Sequence, residues 1–360
     1  MKLLFASGYT QDIPMASGGT VPGNCKGIAC CRFDESTGRL TPLSVTPSAP
    51  NPSCIAADPA APYLYCANEM ASHDEYPFDV SAYRFDPASG ELFLLNQQPG
   101  AGTLACFVTL SPDAAHVLSA SYNGGICLLN VGRDHRLSVP CACLLSAAYL
   151  GPDPQRQDKS HPHQVLLHPD GERVYVPDLG QDRLFCFRAN WEKSFLQYDS
   201  LYDLSTRPGQ GPRHGVCSAN GRRLYVLTEL SSELDVFDPD TTKLLQTLPA
   251  LPPDCAVPGM AAAIRLHPSG KFLYASLRGP NLIAVFPIRP DGLLETPAFC
   301  PSGSQTPRDF LLTPDGRWLL TAGQDDGSIC VHAVDPETGA LSQVWREENM
   351  GTVTSLALWG

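Results

Sequence analysis

Along the chain, short apolar runs alternate with polar turns, and nowhere do apolar positions recur at the three-to-four-residue spacing of a helix. Val165-Leu166-Leu167, Ile264-Arg265-Leu266 and Phe310-Leu311-Leu312 each lead into a turn. Past the turns lie runs rich in aromatic and β-branched residues, such as Val174-Tyr175-Val176, Leu224-Tyr225-Val226 and Phe272-Leu273-Tyr274, which suit a pleated, half-buried strand. The turns share one pattern: Asp58-Pro59-Ala60, Ser111-Pro112-Asp113, His168-Pro169-Asp170-Gly171, Ser218-Ala219-Asn220-Gly221, His267-Pro268-Ser269-Gly270 and Thr313-Pro314-Asp315-Gly316. The turn prolines, with Ala219 in the fourth turn, are spaced regularly at 53, 57, 50, 49 and 46 residues. A third run follows in every unit (80–85, 184–187, 234–237, 329–332), and a weaker fourth is visible at 92–95 and 244–248.

Four short strands in a repeat of about fifty residues predict the blades of a β-propeller. Six units carry the turn, and the chain ends supply a seventh. Residues 353–358 read as its first strand, 1–9 as its second, 27–33 as its third and 40–45 as its fourth. The prediction is an all-β chain in which residues 1–360 form a single seven-bladed β-propeller domain with four antiparallel strands per blade. Its ring is closed by N- and C-terminal strands sharing one blade, which removes exposed sheet edges.

Composition narrows the function. The 34 prolines and 30 glycines are spread along the chain, as many short elements demand. With 37 acidic against 25 basic residues and a net charge of −12, the chain has no basic footprint for nucleic acid. No apolar stretch approaches the roughly 18 residues of a membrane span, and the N-terminus reads as a strand instead of a signal peptide. Of 14 cysteines, Cys54, Cys66, Cys106, Cys127, Cys186, Cys217 and Cys330 sit inside apolar runs, and the Cys30/Cys31 and Cys141/Cys143 pairs lack the second half of a zinc motif. They read as buried reduced thiols, so the expected compartment is cytoplasmic, with no metal or other cofactor.

The turn also supplies a register. Six residues before its proline (or Ala219) stand Ser53, Cys106, His163, Arg213, Ala262 and Arg308; ten after it stand Glu69, Tyr122, Leu179, Glu229, Arg278 and Gln324. A plain hairpin makes these columns direct partners, with Ser53 facing Glu69, Arg213 facing Glu229 and Arg308 facing Gln324. One rim of the ring would then gather these polar groups, with His214, Asn68, Asn123, Asp178 and His161 close by. The opposite rim carries plain turns, to which His168 and His267 belong as structural residues. Arg213–Glu229 can equally be a structural ion pair, and Asp178 a loop cap. The loop after Glu69, with His73, Asp74 and Glu75, reads as a solvated lid and matches no metal pattern.

The segments Asn51-Pro52-Ser53, Asn68-Glu69, Ser121-Tyr122-Asn123-Gly124-Gly125, His161-Pro162-His163-Gln164, Pro177-Asp178-Leu179-Gly180, Gly211-Pro212-Arg213-His214, Glu229-Leu230-Ser231-Ser232, Arg278-Gly279, Pro307-Arg308-Asp309 and Gln324-Asp325 resemble, in order and spacing, the seven-bladed propeller lactonase family. That family includes propeller-type 6-phosphogluconolactonases and carboxy-cis,cis-muconate cyclases. The resemblance implies acid–base and anion-binding roles for His163, Arg213, Glu229 and Arg278, and substrate contacts from Glu69, Asn123, Asp178, His214, Arg308 and Gln324. The chain departs from the family at Leu277-Arg278-Gly279-Pro280, where Asn-Arg-Gly-His is expected, and at Gly323-Gln324-Asp325, where Asn-Gln-Asp is expected.

Opening a lactone needs a base for water, donors for the oxyanion and cations for an anionic substrate. Either His163 or Glu229 can be the base, and His163 is favoured because Arg213 would hold Glu229 ionised. The expected activity is hydrolysis of a small anionic sugar-acid lactone, 6-phosphogluconolactone first. The alternatives are a muconate-type lactonising enzyme and a non-catalytic propeller that binds a small anion or a protein partner.

Overall fold

The computed structural model describes residues 2–14, 18–74, 76–145, 149–258 and 260–360. Glu75 of the predicted lid and Met1 of the predicted terminal strand lie outside these residues. Among the described residues the strands form seven blade-like sheets and one two-stranded ribbon, Ile13–Pro14 with Thr20–Val21. In one sheet the C-terminal strand Thr352–Trp359 pairs antiparallel with Lys2–Tyr9, followed by Ile28–Asp34 and Arg39–Thr46.

Four further sheets are four-stranded meanders of the predicted kind, beginning at Pro52–Ala57, Pro212–Cys217, Ala261–Leu266 and Pro307–Leu312. Two depart from it. In one, a single 15-residue stretch, His116–Asn130, stands between Gly102–Leu110 and Cys141–Leu144. The Val131 amide donates to the Ala115 carbonyl at 2.8 Å. Extended chain would put these groups tens of ångströms apart, so the stretch doubles back and supplies both the second and third strands. In the other, the first strand is only Leu166–Leu167 and Leu204–Ser205 adds a fifth. Ahead of Leu166–Leu167 the chain keeps only an isolated bridge between Pro162 and Asp178 and a hydrogen bond from the His163 amide to the Pro177 carbonyl.

The repeated turn ties neighbouring sheets together. His267 accepts from the Ser269 amide within its own turn and bonds the Gly316 carbonyl of the next through Nε2, 2.9 Å away. Gly316 has φ 71°, and a Cβ there would lie 2.5 Å from that imidazole nitrogen. His168 bonds Gly221 in the same manner, so both histidines are structural as expected. Between the sheets, second-strand tyrosines Tyr65, Tyr175, Tyr225 and Tyr274 are fully buried among aliphatic side chains. Burying each contributes on the order of 2 kcal/mol.

Candidate active site

Six of the seven first strands carry a β-bulge at the same place. The register slips between Pro52 and Cys54, Ala105 and Phe107, Pro212 and His214, Ala261 and Ile264, and Pro307 and Asp309. In the terminal sheet it slips opposite Ser7 and Gly8, leaving Thr354 extra. The extra residues include Ser53, Cys106, Arg213, Ala262 and Arg308, five of the six in the predicted first column; His163, the sixth, belongs to the sheet without this bulge.

The bulge corrects the predicted pairing. Pro212 opposes Thr228, Pro52 opposes Asn68, and Pro307 opposes Gly323, so Arg213–Glu229, Ser53–Glu69 and Arg308–Gln324 are not direct backbone partners. Two residues facing one bend the strand and re-aim the extra side chain. Contact survives at the side chains: Arg213 Nε lies 2.9 Å from Glu229 Oε2, and Arg308 Nη1 donates to Gln324 Oε1 at 3.4 Å.

A cavity opens at this level. Its walls are Glu69, Tyr122, Glu229 and Arg278 from the second column, Cys106, His163 and Arg308 from the first, and Tyr9, Arg156, Pro14, Leu104 and Met260. A second cavity shares Cys106, His163 and Arg308 and runs along the first strands, past Arg213, His214, Arg265 and Asp309.

Two clusters of charge face the first cavity. In one, Glu229 holds three guanidinium groups: Arg156 Nη2 at 2.5 Å from Oε1, and Arg278 Nη2 and Arg213 Nε at 2.8 and 2.9 Å from Oε2. Burial alone would raise the Glu229 carboxyl, but Arg278, Arg156 and Arg213 outweigh it and hold it well below the ordinary carboxylate range. In the other, Tyr9 donates to Glu69 Oε2 at 3.0 Å, and Arg308 stands 3.9 Å from the same oxygen. Three arginines on the wall, Arg156, Arg278 and Arg308, with Arg213 behind Glu229, against two carboxylates leave the wall cationic in a chain that is acidic overall.

His163 sits between the clusters. Its amide donates to the Pro177 carbonyl, its Nδ1 lies 3.8 Å from Cys106 Sγ, and its ring packs edge-on against Tyr122 and His214. Burial and then Arg213 push its pKa well below the usual imidazole value, so the ring is neutral at pH 7. Burial likewise pushes the Cys106 thiol up, which keeps it protonated and a poor nucleophile.

Of the predicted site residues, the structure brings His163, Glu229, Arg278, Glu69 and Arg308 to one cavity. Arg213 lies behind Glu229 on the second cavity, and so does His214, whose Nε2 is 3.3 Å from Arg213 Nη1. Gln324 does not line the site; its amide oxygen orients Arg308. Asn123 is also off the wall, donating to Thr103 at 3.4 Å where its strand turns back. Asp178 is fully buried and accepts from the amides of His161, Gly180 and Gln181 and from Ser160 Oγ. It is the loop cap, and it fixes the strand that presents His163.

Tyr9 and Arg156 were not predicted. Tyr9 occupies the second-column place of the terminal sheet, one residue beyond Gly8, which opposes Val353. That sheet has no proline turn from which to count. Arg156 comes from the loop 151–160, which follows no repeat.

A family profile described as "Lactonase, 7-bladed beta-propeller" matches residues 4–357. The 6-phosphogluconolactonase of Bacillus subtilis (strain 168) is 28% identical over 327 residues, 89% of this chain and 90% of the relative. That of Klebsiella pneumoniae (strain 342) is 30% identical over 319 residues, 87% and 89% of the two chains. The solved structure of a periplasmic gluconolactonase from Pseudomonas aeruginosa superposes with a TM-score of 0.88 at 29% identity, covering 99% of this chain and 98% of that one. This chain belongs to the seven-bladed β-propeller lactonase family.

Proposed function

We propose that this chain is a 6-phosphogluconolactonase, opening the lactone of a small anionic sugar acid to its carboxylate. The observation that carries the reading is a neutral, buried imidazole set in a cationic wall. His163 can take a proton from water while the three arginines on the cavity wall, Arg156, Arg278 and Arg308, hold an anionic substrate.

In the proposed step, His163 removes a proton from water as its oxygen attacks the lactone carbonyl carbon. Arg278 and Arg308, on the cavity wall, stabilise the oxyanion. The bond from that carbon to the ring oxygen breaks, and the ring oxygen takes the proton back from His163. The new carboxylic acid releases its proton to solvent. Glu229 is not the base, because three arginines keep its charge engaged; it positions them instead.

The sheets are proposed to form one seven-bladed ring and one domain, closed by the terminal sheet. A cytoplasmic location is proposed on the 14 free thiols. The test is a timed assay with freshly generated 6-phosphogluconolactone, corrected for spontaneous opening. The wild type is expected to exceed the uncatalysed rate, and His163→Ala to lose that excess. A wild type no faster than buffer overturns the reading.

A further inference from the structure

Arg156, Arg278 and Arg308 on the cavity wall, and Arg213 behind it, are not equally engaged. Arg278 donates from Nε to the Met260 carbonyl at 2.8 Å and places Nη2 on Glu229. Arg213 donates from Nη1 to the Ala262 carbonyl at 2.5 Å, and its Nε lies 2.9 Å from Glu229 Oε2 as an ion pair without hydrogen-bond alignment. Arg308 is oriented by Gln324. Arg156 makes one ion pair among the described residues, from Nη2 to Glu229 Oε1, on a carboxylate that already has two other cations, and otherwise reaches only the neutral Tyr122 hydroxyl. Its Nε–H is buried without a hydrogen-bond partner. A guanidinium has five donors in a fixed fork, so most of this one is unused.

A second group with an unused donor stands beside it. Tyr122 is buried next to Arg156 and Glu229, its oxygen is within reach of the Arg156 guanidinium, and its own O–H finds no acceptor among the described residues. Its ring stacks on His161 with centroids 4.1 Å apart. His161 is bonded through Nδ1 to the Tyr122 carbonyl and through Nε2 to Asp158. The Arg156 backbone is held by Asp153, and Gln157 is anchored to the Leu179 carbonyl. The loop therefore builds both groups rigidly, and a wider cavity opens on the far side of Arg156 and Met260.

Two buried donors without acceptors, side by side on a cationic wall, call for an oxygen-rich anion. We propose that Arg156 and Tyr122 form the subsite for the substrate's remote anionic group, a phosphate, and so set the preference for phosphorylated over plain sugar lactones. This rests on the hydrolytic reading above for its substrate class.

The test compares wild type, Arg156→Met, Arg156→Lys and Tyr122→Phe on 6-phosphogluconolactone and on glucono-δ-lactone. Alongside, calorimetry measures binding of 6-phosphogluconate and of gluconate, which needs no turnover. The ratio of kcat/KM between the two lactones is expected to fall about 10- to 100-fold in Arg156→Met, the worth of a charge-assisted hydrogen bond. Arg156→Lys should restore part of it, and Tyr122→Phe should lose a few-fold. Calorimetry should show the same selective loss for 6-phosphogluconate. Equal losses for both lactones and both acids overturn the subsite and leave Arg156 a positioning group for Glu229; no loss overturns it as well. A wild type inactive on both lactones refutes the hydrolytic reading, while the calorimetric contrast still decides the subsite.

Discussion

Glu229 is the group on which the cationic wall depends, and Glu229→Gln tests that dependence at near-constant volume. The substitution leaves Arg156, Arg213 and Arg278 converging on a neutral amide, with the nearest contacts now 2.5–2.9 Å in the wild type. Removing one partner of a buried ion pair costs about 3–5 kcal/mol, because the remaining charge is left uncompensated. At about 2.1 cal/mol/K per residue, a cooperative chain of this length has an unfolding entropy of about 0.76 kcal/mol/K, so the midpoint should drop by about 4–7 °C. Calorimetry in low-salt buffer at pH 7 reads this directly. Phosphate, an anion able to replace the carboxylate, should recover more of the midpoint in the variant than it adds to wild type. The pH dependence supplies a second reading. Glu229 has a folded pKa held below its unfolded value, so its contribution is complete above the unfolded pKa and is lost as pH falls through the folded one. Wild type should therefore lose stability on acidification below about pH 4.3 more steeply than the variant. A variant melting within 1 °C of wild type, with the same acid limb, would refute the picture of three charges held by one.

His163→Ala should lower kcat by about 10²–10⁴-fold, the usual worth of a positioned base; since burial depresses the wild-type imidazole, the acid limb of its pH–rate profile should lie below 6.5, and a limb at or above that value contradicts the assignment. Asp178→Ala strands the amides of His161, Gly180 and Gln181 and should cost at least about 2 kcal/mol in a denaturant titration, so an unchanged midpoint would remove its role as a cap. In native protein, a chromogenic disulfide reagent should modify exposed Cys141 first and leave buried Cys106 untouched until denaturant is added; early loss of Cys106 would contradict its burial.

The legible part of the molecule was what repeats. The repeated turn marks strand one and strand two in six units, and the count from it places His163, Glu229, Arg278, Glu69 and Arg308 at one level from the sequence alone. What stayed hidden was local backbone geometry with no residue signature. Nothing in Pro212-Arg213-His214 or Pro52-Ser53-Cys54 announces a bulge, because a bulge of this kind needs one residue near helical dihedrals and most side chains tolerate that. Asp178 was ambiguous for a related reason: a carboxylate after a strand suits a cap or a ligand equally until its acceptors are counted. Arg156 was invisible because a loop outside the repeat has no register from which to place it.

The bulges also explain how a near-symmetric ring yields an asymmetric site. In a regular strand, the residue at the bulge would alternate with its neighbours and point along the blade into the packing between sheets. Shifting the register by one at the same level of six of the seven first strands re-aims that residue, whatever its type. Geometry is thus shared by six blades, and chemistry is free to differ. Arg213, Arg278 and Arg308 come from three blades, while the blade of Cys106 and Tyr122 presents groups that carry no charge at neutral pH and the loop residue Arg156 supplies the cation beside them. His163 stands between them. A substrate whose anionic end is held by Arg156 and Tyr122 lies beside His163, whose ring packs edge-on against Tyr122, and the carbon to be attacked is brought to that neutral imidazole.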